Sequence, residues 1–194
     1  MLDKSTHARL LLIRHPEVAA MYHGVCYGRS DVELSPTAQQ VCHEIAENVA
    51  RWRVTSVIHS GLQRTRLLAE CIGRRLGLRP TCEVALRERD FGSWEMRTWD
   101  DIYDDSGDDM SKMTSDPNNF RPGGGETTSE FSERVWRWSQ AWNGGGITVA
   151  VAHGGTIAAL LGRQRSLPVS KWPSLIPAYG EMVWHDPQSL GSRM

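Results

Sequence analysis

Three short apolar runs in this chain each stop at groups able to bind or attack an anion. Arg9 to Ile13 leads into Arg14-His15, Val54 to Ile58 leads through His59-Ser60 toward Arg64, and Ile147 to Ala152 leads into His153. A fourth, weaker run, Cys82 to Leu86, is followed by Glu88 and Asp90. A neutral imidazole can act as a nucleophile near pH 7. Guanidinium groups stay charged and hold two phosphate oxygens in one planar fork. A carboxylic acid can protonate a poor leaving group if burial or nearby negative charge raises its pKa toward neutrality. Taken singly, each residue has a plain structural account, such as a surface ion pair or a satisfied histidine. Together they suit phosphoryl chemistry. A metal site fits less well, because the arginines would repel a cation and the histidines lack ligand spacing.

These groups converge only if the runs are parallel strands, since ligands in open α/β sheets bind beyond the carboxyl ends of the strands. The rest of the pattern agrees. Ser35-Pro36 signals a helix start, and Val41, Ile45, Val49 and Trp52 follow at helical spacing. Leu62, Thr65, Ala69, Ile72 and Leu76 stripe a second helix that Gly77 can end. Phe131, Val135, Trp138 and Trp142 mark another, residues 156–162 a fourth, and Met182 to His185 a last strand. Strands alternating with such helices predict an α/β fold, a three-layer α/β/α sandwich with a mostly parallel central sheet. Residues 16–34 read as a long surface loop. Residues 1–194 read as one domain, with residues 96–125, which include Asp100 to Asp109 and Pro122 to Gly125, as a lid or insertion.

Composition narrows the function classes. Lys and Arg number 22 against 23 Asp and Glu, so neither nucleic acid nor an anionic membrane surface is an expected partner. No run near the start approaches a signal or membrane segment in length. Cys26, Cys42, Cys71 and Cys82 form no CxxC pair and read as reduced thiols of a cytoplasmic protein. The tryptophans fit apolar helix faces better than a stacking platform. His7, His23, His43 and His185 carry no supporting motif and read as surface or structural residues.

The four segments also carry a resemblance. Leu-Leu-Ile-Arg14-His15-Pro16 resembles the Arg-His-Gly signature of the histidine phosphatase (phosphoglycerate mutase-like) superfamily. Ser60-Gly-Leu-Gln-Arg64 with Ala69, Leu86-Arg-Glu88 through Glu95, and Val151-Ala-His153-Gly154 resemble its other motifs, in family order. Within the superfamily, Cys26 to Asp31, Phe91 to Arg97 and Gly123-Gly-Gly-Glu126 are most similar to α-ribazole-5′-phosphate phosphatases of cobalamin biosynthesis. The resemblance implies a phosphohistidine on His15, with Arg14, Arg64 and His153 around the phosphoryl group and Glu88 as general acid. Spacing alone leaves Asp90 and Glu95 open for that last role. Tyr27, Gly28 and Arg29 are candidates for shaping the substrate pocket. Ser60 either orients Arg64 or caps a helix, and the backbone N–H groups after His153 could also bind an anion. A small phosphomonoester is the expected ligand, with neither metal nor cofactor, and a homodimer is compatible with the sequence.

Two positions depart from the family pattern. Pro16 stands where glycine is usual, removing one backbone N–H, and Met21 stands where an asparagine donor is often found. The alternatives are a broad-specificity phosphatase or a phosphoglycerate mutase. Mutases of the superfamily usually carry longer insertions than this chain has room for. A non-catalytic phospholigand-binding module is the alternative of another class, but His15, Arg64, Glu88 and His153 are all retained.

Overall fold

A computed structural model describes residues 9–186. Five strands form the main sheet: β1 (Arg9–Arg14), β3 (Val54–His59), β4 (Thr81–Cys82), β6 (Ile147–Ala152) and β7 (Met182–His185). A two-stranded ribbon pairs β2 (Val25–Cys26) with β5 (Arg97–Thr98). The sheet order is β4-β3-β6-β1-β7, parallel throughout except for the antiparallel edge strand β7.

The helices are α1 (Ala38–Val49), α2 (Gln63–Leu76), α3 (Trp99–Ser106), α4 (Lys112–Ser115), α5 (Thr128–Ala141) and α6 (Gly154–Gln164). Side chains alternate along β1, so Leu11 and Ile13 join Ile45 and Val49 of α1 and Leu68 and Ile72 of α2 in one core. Leu10 and Leu12 join Phe131 and Val135 of α5 and Ile157 and Leu160 of α6 in the other. Covering a sheet on both faces requires continuous apolar strands, which is why Leu10 to Ile13 and Val149 to Ala152 are all buried. The three-layer architecture follows directly from that pattern.

Several local expectations change. Only Thr81–Cys82 pairs as a strand. Residues 84–86 turn into a 3-10 helix, because the Glu83 carboxylate accepts from Ala85 N and draws the chain out of the ladder. Ser35 does not cap α1 with its side chain. Its carbonyl accepts from Ala38 N, Pro36 and Thr37 form a turn, and the helix begins at Ala38. Trp52 and Trp142 lie past the ends of α1 and α5, where they still pack on the two cores. Gly77 does terminate α2, in the left-handed conformation (φ 68°) that favours glycine. The loop over residues 16–34 is tied down by β2 and by a bridge between Val18 and Leu34.

Pro122 to Gly125 is more than a chain breaker. A side chain at Gly92 would overlap the Gly123 carbonyl, and one at Gly125 the Asp90 carbonyl, so two backbones meet where only glycine fits. The acidic stretch is solvated and paired in part, Arg97 with Asp105 and Lys112 with Asp109. Among the described residues, no helix is long and apolar enough to cross a membrane. Cys26, Cys42 and Cys71 are buried free thiols and Cys82 is exposed. Burial pushes Cys26 and Cys42 up to about 12. His7 lies outside the described residues.

Candidate active site

Because β3, β6 and β1 are parallel neighbours, their carboxyl ends deliver Ser60, His153 and His15 to one rim. His15 extends the ladder, its N–H donating to Ala152 O. Its side chain is 1% exposed. Its Nδ1 lies 2.7 Å from the Pro16 carbonyl. A carbonyl only accepts, so Nδ1 carries the proton and Nε2 keeps the lone pair. Proline at this position lacks an N–H but, with φ restrained, presents a carbonyl that sets the tautomer. Burial, with Arg64 and Arg14 nearby, holds the His15 imidazole well below its usual range, so it is neutral at pH 7.

His153 is equally buried, its ring centroid 5.3 Å from that of His15. Burial, Arg64 and His15 keep it neutral too. Arg64 Nε donates to its Nδ1 at 3.3 Å, which leaves the proton on Nε2, 2.8 Å from Ser60 Oγ. Thr65 Oγ1 donates to Leu62 O, so the Ser60 hydroxyl donates to Thr65 Oγ1, and the chain of donors runs one way. Ser60 thus orients His153, and through it Arg64.

Arg64 is fully buried, its Nη1 and Nη2 donating to the carbonyls of Ser30 and Gly28. Gly28 adopts φ 37°, and a side chain there would overlap the Glu95 carboxylate. Gly28 contributes its backbone, as an anchor for Arg64. Arg14 Nη1 donates to Pro177 O at 2.7 Å, and its guanidinium carbon stands 3.8 Å from the centre of the Tyr179 ring.

Glu88 arrives from the loop after β4. Its Oε2 accepts from Gly155 N at the start of α6 and its Oε1 from Arg89 N. The group that occupies that helix N-terminus is therefore the Glu88 side chain. Arg134 of α5 fixes the loop by donating to the carbonyls of Ala85 and Arg87. Asp90 and Glu95 are spent elsewhere. Asp90 accepts from Gly92 N and pairs with Arg29, and Glu95 accepts from the N–H groups of Arg29, Ser30 and Phe91.

A cavity of about 600 Å³ opens beside these groups, lined by Arg14, His15, Tyr27, Gly28 and Glu88. Arg64 and His153 border His15 and not the cavity itself. Much of the wall is apolar or aromatic: Tyr22, Phe91, Trp99, Phe131, Trp172 and Ile176. Trp99, Met113 and Thr114 come from the segment 96–125, and Trp99 and Trp172 face the cavity while also packing on a core. Arg29 does not line it. Its guanidinium is committed to Asp90 and Glu126, which corrects its expected place in the pocket wall. Burial works against the Glu126 carboxylate, but hydrogen bonds from Arg134 and Asp90 N, with Arg29 nearby, hold it below the usual range.

Sequence reasoning missed four residues here. Tyr179 lines the cavity from a loop that carries no motif, Arg89 from within the acid-bearing motif beside Glu88, and Arg134 sits at an unremarkable helix position. His23, read as surface or structural, also lines the cavity and lies 3.3 Å from Glu17. Met21 is 71% exposed on a 3-10 turn and offers no donor to the site. Among the described residues, no group of three His, Cys, Asp or Glu side chains could hold a metal ion.

A buried, neutral histidine between guanidinium groups, beside a cavity with a carboxylate in its wall, is a phosphoryl-transfer arrangement. Residues 10–191 match the histidine phosphatase superfamily (branch 1), and the chain belongs to that superfamily. It is a phosphatase of the hydrolase class. It is similar to glucosyl-3-phosphoglycerate phosphatase of Mycolicibacterium vanbaalenii, with 28% identity over 186 residues, 91% of this chain and 82% of the relative. A solved mycobacterial glucosyl-3-phosphoglycerate phosphatase has a TM-score of 0.77 and 27% identity, covering 91% of this chain and 88% of its own. The α-ribazole phosphatase of Shigella flexneri shares the fold, with a TM-score of 0.77 at 24% identity, over 91% and 89% of the two chains.

Proposed function

We propose that the chain removes the phosphate from a small-molecule monoester through a phosphohistidine on His15. The observation that carries this is the His15 tautomer: Nδ1 is held by the Pro16 carbonyl, leaving the Nε2 lone pair free as nucleophile. Nε2 attacks phosphorus as the ester P–O bond breaks, and the Nδ1–H bond to Pro16 steadies the positive charge the ring acquires. Arg14 and Arg64 stabilise the charge on the phosphoryl oxygens, with His153 and Ser60 fixing the Arg64 fork. Glu88, in the cavity wall, gives its proton to the departing alkoxide. It then takes one from the water that displaces phosphate from His15, so both steps balance.

For the leaving group, the aromatic wall supports one with an apolar, aromatic portion. α-Ribazole-5′-phosphate, or a related cobalamin precursor, meets that requirement through its base. A second reading has its own support. Arg89 is 6% exposed, lines the cavity, and has an Nη2 with no partner among the described residues. Its Nε already donates to Glu126 O, and the unpaired Nη2 suits a carboxylate on the leaving group, as in glucosyl-3-phosphoglycerate.

The deciding experiment is phosphate release, without added metal, from α-ribazole-5′-phosphate, glucosyl-3-phosphoglycerate, 3-phosphoglycerate and p-nitrophenyl phosphate. Wild type and His15→Ala are compared. Selectivity for the first ester, lost with His15, is the expected result. Selectivity for the second would discard the cobalamin assignment and keep the phosphatase. Turnover surviving in His15→Ala would remove the nucleophile assignment, and no release from any ester would favour a phospholigand-binding module.

A further inference from the structure

Two tyrosines of the cavity wall stand against the two phosphate-side arginines. The Arg14 guanidinium carbon lies 3.8 Å from the centre of the Tyr179 ring, and that of Arg64 lies 5.0 Å from the Tyr27 ring. Tyr179 also packs against His15, ring centroids 5.6 Å apart. The two hydroxyls lie 3.2 Å from each other, and both residues line the cavity with Arg14 and His15. The pair comes from distant parts of the chain. Tyr27 is in the first loop, and Tyr179 is on the turn before β7.

That turn is pinned to the catalytic strand, since Arg14 Nη1 donates to Pro177 O and Gly180 N donates to Arg14 O. Ala178 N is in turn held by the Glu181 carboxylate. Tyr179 is therefore placed by the residue whose guanidinium it braces.

Proton counting gives the pair a second use. Two phenols carry two O–H protons, and the hydrogen bond between them consumes one. No other hydrogen-bond partner of either hydroxyl is found among the described residues. We propose that Tyr27 and Tyr179 act as a paired phenol donor. One O–H spans the two rings and the other is offered to a phosphoryl oxygen at His15, while both rings brace the arginines. The assignment rests on the phosphatase reading above. Burial and the Tyr179 hydroxyl push the Tyr27 phenol well up from its ordinary value, which keeps its proton in place across the working pH range.

The pairing makes a specific prediction about Tyr27→Phe, Tyr179→Phe and the double variant. Phenylalanine keeps the ring, the packing and the contact with the arginine, and near-UV circular dichroism checks that each variant is folded. In either single variant the remaining phenol no longer spends its proton on its neighbour and can still donate. Each single variant should lose about threefold or less in kcat/KM, and the double variant about 10- to 100-fold, the scale for one hydrogen bond to a charged group. Affinity for orthovanadate, measured by calorimetry, should fall in the same non-additive way. A merely structural role predicts a double-variant loss equal to the product of the singles, or no loss, and either result overturns the proposal.

Two outcomes separate this proposal from the reading it rests on. His15-dependent turnover with a double variant like wild type leaves the phosphatase standing and removes the phenol donor. No turnover by wild type, with vanadate affinity still collapsing only in the double variant, keeps the donor site and overturns the phosphatase.

Discussion

Glu88 and Glu95 sit seven residues apart and show how environment divides work between like groups. Glu88 lines the cavity with two backbone N–H groups on its carboxylate, whereas the Glu95 carboxylate ties residues 29, 30 and 91 together. Glu88→Gln should slow alkyl phosphates with poor leaving groups far more than p-nitrophenyl phosphate, whose leaving group needs no proton. Equal slowing of both in steady-state assays would count against general-acid work. Glu95→Gln should cost about 1–2 kcal/mol in denaturant unfolding, by losing charge-assisted hydrogen bonds, and leave the ratio of the two rates unchanged. His15 shows the same principle with a single group. One backbone carbonyl decides which nitrogen carries the lone pair, and a neighbour as small as Pro16 thereby directs the chemistry.

Among the elements, the connection from β4 to β5 depends most on backbone shape. Gly92 adopts φ 55°, and a Cβ added there would overlap the Gly123 carbonyl. Gly92→Ala should therefore destabilise the fold by roughly 2–4 kcal/mol in urea, through strain and overlap together. Met96, three residues before α3, is a non-glycine residue at φ 67°. Replacing it by glycine removes a strain of about 1–2 kcal/mol, offset by about 0.4–1 kcal/mol of unfolded-chain entropy. A small net gain in unfolding free energy is expected, and a loss would show that Met96 earns its place by packing. Helix ends follow a similar logic. α5 begins with a capping box from Thr127 and Glu130, legible in the sequence as a Thr-x-x-Glu spacing. α2 has no side-chain cap of its own, and Asp31 from the first loop accepts from Gln63 N instead.

For the molecule as a whole, four buried histidines link stability to pH. His15 and His153 are held well below the usual value near 6.5, burial lowers His59 too, and burial lowers His185 to about 4. The unfolded chain takes up these protons first as the pH falls, so stability is fully present above about pH 6.5 and declines below it. Each group can contribute up to about 1.4 kcal/mol per pH unit in that window. Urea unfolding at pH 7.5 and 5.5 should show the decline, and His185→Phe should flatten it. An unchanged slope would mean that His185 is not held neutral by the fold.

The sequence alone determined the layered α/β architecture, because strands covered on both faces must be apolar throughout and the helices between them must carry one apolar stripe. It also determined that His15, Arg64 and His153 share a rim, because parallel neighbouring strands put their carboxyl ends on one side of a sheet. The long-range partners were decided by tertiary structure alone. Which of Glu88, Asp90 and Glu95 faces the cavity depends on hydrogen bonds made by residues up to 67 positions away, and no local spacing encodes that. Arg29 is a pocket candidate in the sequence and is consumed by Asp90 and Glu126 in the fold. Tyr179 carried no motif, yet it meets Arg14, His15 and Tyr27 because an antiparallel edge strand returns the chain beside β1. Period and composition act over a few residues, whereas a hydrogen-bond partner is chosen by whatever the folded chain brings within about 3 Å.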